Sequence, residues 1–121
     1  MGLWTRVNWL TLAALAGFAS VAFGAFAAHD VNDARAQELL RTGSFYGFVH
    51  ALATLATGAL APRARLAPAL FLAGVVLFSG SLYALALGAP RWLGAVTPFG
   101  GLAFLAGWLA LAWAVRRAPL P

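Results

Sequence analysis

The chain has 121 residues, 63% of them hydrophobic and only 9% charged, with a mean hydropathy of +0.86. That length holds one domain, and that charge is far below the quarter or so typical of soluble domains, so the bilayer is the solvent for this much apolar surface. The net charge of +5 comes from eight arginines against three acids, and the absence of cysteine excludes disulfides, thiolate catalysis and cysteine metal sites.

The arginines sit singly or in pairs at the ends of apolar runs. A nucleic-acid face needs them gathered on one surface, so they read as topology signals, and no nucleic-acid partner is expected. The first apolar run, residues 7–28, measures roughly 33 Å at about 1.5 Å per residue, enough for a hydrocarbon core of about 30 Å. Arg6, this run and Ala25, Ala27 and Ala28 imitate a signal peptide. The run is longer than the usual h-region of about 7 to 15 residues, and the helix is expected to be kept. Ala16, Ser20, Gly24 and Ala28, four residues apart, suggest a helix-packing face.

The text then changes to HDVNDARAQELLRTG (29–43), which holds all three acids, Asp30, Asp33 and Glu38, with Arg35 and Arg41. Asn32 or Asp33 suits an N-cap, Glu38 and Arg41 lie at i,i+3, and Gly43 suits a C-terminal cap. These predict a short interfacial helix between spans 1 and 2. The second span is expected over 44–61, with Thr54, Thr57 and Gly58 at packing positions and His50 inside it. A tight connection through Pro62, Arg63 and Arg65 leads to a third span over 66–88. After a turn at 90–96, Thr97 suits an N-cap and Pro98 the first helical position of a fourth span over 97–115.

The expected fold is therefore all-α, an integral membrane four-helix transmembrane bundle in one domain. Arg6, Arg63, Arg65, Arg116 and Arg117 fall on one side and Arg35, Arg41 and Arg91 on the other, which favours both termini in the cytoplasm.

The segments GAFAAHD from Gly24, FYGFVHALATL from Phe45, LFSGSLYALAL from Leu77 and LGAVTPFGGLAFLAGWLALA from Leu93 are distinctive. Together they resemble the YgdD-like family of small uncharacterised inner-membrane proteins, domain of unknown function 423. The resemblance covers all four spans in order. It implies a four-span protein of the bacterial inner membrane and carries no activity. Gly47 stands where that family commonly has glutamine after the tyrosine.

Within the spans, His50, Ser79 and Tyr83 share a depth and form the candidate intramembrane polar cluster, with His29, Asp30, Ser81 and Thr97 as secondary candidates. A polar side chain in hydrocarbon must be satisfied, so His50 is expected to bond Ser79 or Tyr83 across two helices, about 0.6 to 2 kcal/mol of interhelical glue. The sharper alternative makes it a proton-handling group. His29 and Asp30 with His50 could be imagined as a weak metal site, but neighbouring residues on a helix point about 100° apart, and no metal or other cofactor is expected. The serines show no nucleophile elbow, and no buried carboxylate orients His50, so no catalytic residue is assigned. Gly100 and Gly101 are expected to meet a small face of Gly80, Ala84 and Gly88. Two functions fit: a non-enzymatic structural or interaction protein partnered by the lipid bilayer and by a homo-oligomer or another membrane protein, or an oligomeric transporter of a small solute, ion or proton past His50.

Overall fold

A computed structural model describes residues 2–117. Helix α1 (Arg6–His29) begins where Thr5 accepts the Asn8 N–H at 3.2 Å, and α2 (Ala34–Leu60) where the Asp33 carboxylate accepts the Ala36 N–H at 2.8 Å. Each cap satisfies one of the otherwise orphaned N–H groups of a first turn. The third rod is composite: α3 (Leu66–Gly74), a π-helical turn (Val75–Ser79) and α4 (Gly80–Ala86). It is followed by Gly88 at φ +100°, a conformation that favours glycine. A 3-10 turn (Arg91–Ala95) enters α5 (Thr97–Arg117).

Two sequence expectations change here. The charged segment and the second span are one continuous helix of 27 residues, with no separate interfacial helix and no cap at Gly43. Gly43 is buried in mid-helix, where a Cβ would lie 2.7 Å from a ring carbon of Tyr83. The glycine serves a close approach between rods, and nothing in the flanking residues stops the helix. Thr97 is the first helical residue rather than the cap before it, and its hydroxyl is spent on Ser81 Oγ at 2.5 Å.

The second and third rods form the inner pair, with α1 flanking α2 and α5 flanking the third rod. The connections at 30–33 and 61–65 are short, which makes sequential rods antiparallel neighbours. The α1/α2 contact repeats every seven residues: the Cβ-less faces of Gly24, Gly17 and Gly58 meet Ser44, Ala51 and Leu10. Seven steps down α1 match seven steps up α2, the spacing that holds two helices together at a shallow left-handed crossing. The buried residues of α1 are Trp9, Ala13, Ser20 and Ala27; of the four-residue ladder, Ser20 and Gly24 lie on this face, whereas Ala28 is exposed. A four-residue step turns about 400°, so such a ladder drifts off its partner, whereas alternating threes and fours stay on it.

The third rod and α5 interlock differently. Gly100 lies on the Phe78 backbone, the Phe104 ring fills the space over Gly74, and the Phe71 ring fills the space over Gly107. Each bulge meets a hollow on the opposite rod, so the match for Gly100 is Phe78 and not the small residues of α4. Polar contacts tie one end together: Trp4 Nε1 donates to Arg65 O at 3.0 Å, and an Arg6 guanidinium nitrogen to Gly58 O at 3.0 Å. The second of these places a cation on the carbonyl end of α2, where the helix dipole favours it. At the same end, Arg63, Trp113 and Arg117 line a depression of about 720 Å³, with the Arg117 guanidinium 5.5 Å from the Trp113 ring centroid.

Candidate functional site

His50 lies on the side of α2 that faces the third rod and α5. Its Nδ1–H donates to Tyr46 O, one turn earlier on the same helix, at 2.7 Å. Its Nε2 faces Trp108 Nε1 at 3.0 Å. An indole nitrogen can only donate, so Nε2 must be the acceptor, and the ring is the neutral Nδ1–H tautomer. Phe104 covers one face of the imidazole, with centroids 3.6 Å apart and planes 9° from parallel, and the ring is 4% exposed. Phe71 and Trp108 close around it at 5.7 and 5.8 Å. The expected bond to Ser79 or Tyr83 is not made. Depth along the helix is only one coordinate, and rotation about the axis points His50 to α5 while the other two point to α1 and α2.

Ser79 and Tyr83 belong to a second cluster. The Ser79 hydroxyl donates to Gly43 O at 2.7 Å, and the Ser20 hydroxyl to Ala16 O at 2.8 Å. Ser20 Oγ, Ser79 Oγ and Tyr83 Oη lie 2.6, 3.0 and 3.4 Å from the position a Cβ would take on Gly47. Three hydroxyls from α1 and the third rod thus converge on a glycine of α2. The Tyr83 ring stacks on Phe23 with centroids 4.0 Å apart, and among the described residues its buried hydroxyl has no hydrogen-bond partner. Next to this cluster Ser44 Oγ donates to Ser20 O at 2.5 Å, a further bond between α1 and α2.

Of the secondary candidates, Ser81 and Thr97 are brought together, hydroxyl to hydroxyl, joining α4 to α5. His29 and Asp30 lie exposed at the end of α1, away from His50. Among the described residues no three potential metal ligands gather. Trp108 and Phe104 are the participants that sequence reading missed, while Ser20 was read only as a packing position and Gly47 only as a departure from the family pattern. The signal for Ser20 was its seven-residue spacing from Ala13 and Ala27. For Trp108 the only signal was a donor without an assigned acceptor in an apolar run.

A depression of about 570 Å³ lies over the His50–Trp108 pair, between α2 and α5, and its walls are chiefly apolar: Phe45, Val49, Phe78, Phe104 and Leu105. The serine hydrogens are directed to backbone carbonyls and the His50 acceptor is occupied by Trp108. What these groups do chemically in this arrangement is hold four rods in one register.

An all-helical chain in which Arg6–His29, Leu66–Ala86 and Arg91–Arg117 are long and apolar enough to cross a membrane is a small membrane protein. The model of the family described as "Protein of unknown function (DUF423)" matches residues 23–101, and the chain belongs to that family. It is 46% identical over 113 residues to a UPF0382 membrane protein of Haemophilus influenzae, with 88% of this chain and 91% of the relative covered. It is also 46% identical over 117 residues to the UPF0382 inner membrane protein YgdD of Escherichia coli K12, with 88% of each covered. A UPF0382 membrane protein of Staphylococcus epidermidis is 37% identical over 115 residues, covering 89% of this chain and 94% of that one. No solved structure matches.

Proposed function

We propose that this protein is a four-span protein of the bacterial inner membrane with both termini in the cytoplasm, and that it works by packing against neighbours rather than by catalysis. Its partners on this reading are the bilayer and another membrane protein, a second copy or a different chain. Helix α2 supplies the fourth span: 27 residues give about 40 Å of helix, and Gly43, Gly47, His50, Thr54, Thr57 and Gly58, which dilute its apolar content, are buried against other rods. The observation that carries the non-catalytic reading is the saturation of His50. Both ring nitrogens are hydrogen-bonded, and one face is covered by Phe104. A proton added at Nε2 would set an N–H against the Trp108 N–H.

The test is reconstitution into liposomes loaded with a pH-sensitive dye. The expected result is a proton leak equal to that of empty liposomes for the wild type and for His50→Gln, with His50→Gln less stable to heat in detergent. A wild-type flux that His50→Gln abolishes would establish the second reading, transport past His50. That reading draws on the depression bordering this residue.

A further inference from the structure

We infer that the outer ridge of α2 is the seat of a second copy of this chain, with the two α2 helices side by side and parallel. The inference rests on α2 being a membrane span, as proposed above, and names the surface and the partner. As an inner rod, α2 keeps an uncovered strip through Glu38, Arg41, Phe45, Phe48, Leu52 and Leu55, with Tyr46 and Leu60 exposed to one side of it. The four apolar members are 62, 43, 50 and 39% exposed. Their spacing alternates three and four residues along the helix, the repeat that keeps one line of side chains against a partner helix over many turns.

Shape and charge both select a copy of the same chain. Beside the ridge, between α1 and α2, runs a trench of about 350 Å³ floored by Ser20, Gly24 and Ser44, small enough to admit bulky side chains from outside. Phe45 and Phe48 are at once the wall of this trench and the crest of the ridge. Two copies inserted with one topology are related by a two-fold axis along the membrane normal. That operation seats each crest in the other's trench, so the contact is self-complementary and closed.

The ridge starts with an acid and a base one turn apart, and Arg41 lines the trench. Among the described residues neither is in an ion pair. In a parallel pair at equal depth, Glu38 of each copy comes level with the entrance to the trench that holds Arg41 of the other. The exposed faces of α1 and α5 are apolar between their ends and carry no such pair.

The chain has no cysteine, so single cysteines report directly. Membranes containing Phe45→Cys, Phe48→Cys or Leu52→Cys are treated with a short bis-maleimide, beside Phe18→Cys on α1 and Leu109→Cys on α5, both 74% exposed. The expected product is a dimer of twice the chain mass from the three α2 positions and little from the two controls. Glu38→Arg should lower the dimer yield several-fold, and Glu38→Arg with Arg41→Glu should recover it. Equal yields at all five positions, no dimer from α2, or an adduct of another mass would overturn the inference, because lipid or a different protein would then cover the ridge. Labelling of Arg63→Cys and Arg35→Cys with a membrane-impermeant maleimide from each side is run in parallel. It separates failure of the dimer from failure of the spanning reading.

Discussion

A methyl group added at Gly47 would sit 2.6 Å from Ser20 Oγ and 3.0 Å from Ser79 Oγ, both buried and both committed to backbone carbonyls. Gly47→Ala should therefore cost about 1–3 kcal/mol, the usual range for overpacking. Gly94→Ala, whose Cβ would meet Leu85 at an ordinary 3.8 Å, is the reference in detergent melting, and equal melting temperatures would count against the hydroxyl cluster. Around His50 the expected effects are coupled. Trp108→Phe removes the donor to Nε2 and His50→Ala removes the acceptor, each costing on the order of 1 kcal/mol. Because they break one shared bond, the double variant should lose less than the two single losses combined. Strict additivity in a thermal double-mutant cycle would mean that the 3.0 Å contact contributes no stability.

Between elements, neighbouring glycines give opposite expectations. Gly100→Ala drives a methyl group into the Phe78 backbone, which cannot swing away, while Gly101→Ala meets only a Phe78 ring carbon at 3.9 Å. The first should lower the melting temperature well beyond the second, and measuring both under one condition tests the interlock of the third rod with α5. The helices themselves were legible in the sequence, because apolar runs of about 20 residues bounded by arginine, proline and glycine leave little choice of element. Thr54, Thr57 and Gly58 were legible as packing positions and are buried. The continuity of α2 was not, since Gly43 carries the same letter whether it ends a helix or admits the Tyr83 ring. Nor was the partner of His50 legible: choosing among Ser79, Tyr83 and Trp108 needs the rotation of three helices, and a hydropathy pattern gives depth alone.

For the whole molecule, the N-terminal segment, the 61–65 connection and the C-terminal turn of α5 meet at one end, through the Trp4–Arg65 and Arg6–Gly58 bonds and the depression lined by Arg63 and Arg117. In the proposed topology that end, which carries the larger share of arginines, is the cytoplasmic one. Labelling from the outside should accordingly reach a cysteine at position 35 and spare those at 63 and 117. The reverse pattern would invert the proposed topology while leaving every contact within the protein unchanged.

The π-helical turn at Val75–Ser79, where the Gly80 N–H reaches Val75 O, stores one residue more than an α-helix of the same length would need. The third rod therefore has a spare position. Deleting Val76, which is 69% exposed, should let the turn relax into regular α-helix with Phe71, Gly74, Ser79 and Tyr83 still facing their present neighbours. Deleting Ala69 from α3 has no such slack to absorb it. Every residue beyond the cut would rotate by about 100° against residues before it. The shorter chain lacking Val76 should fold and melt near the wild type, and the one lacking Ala69 should not. The third rod can lose one residue without losing its register, but only within this one turn.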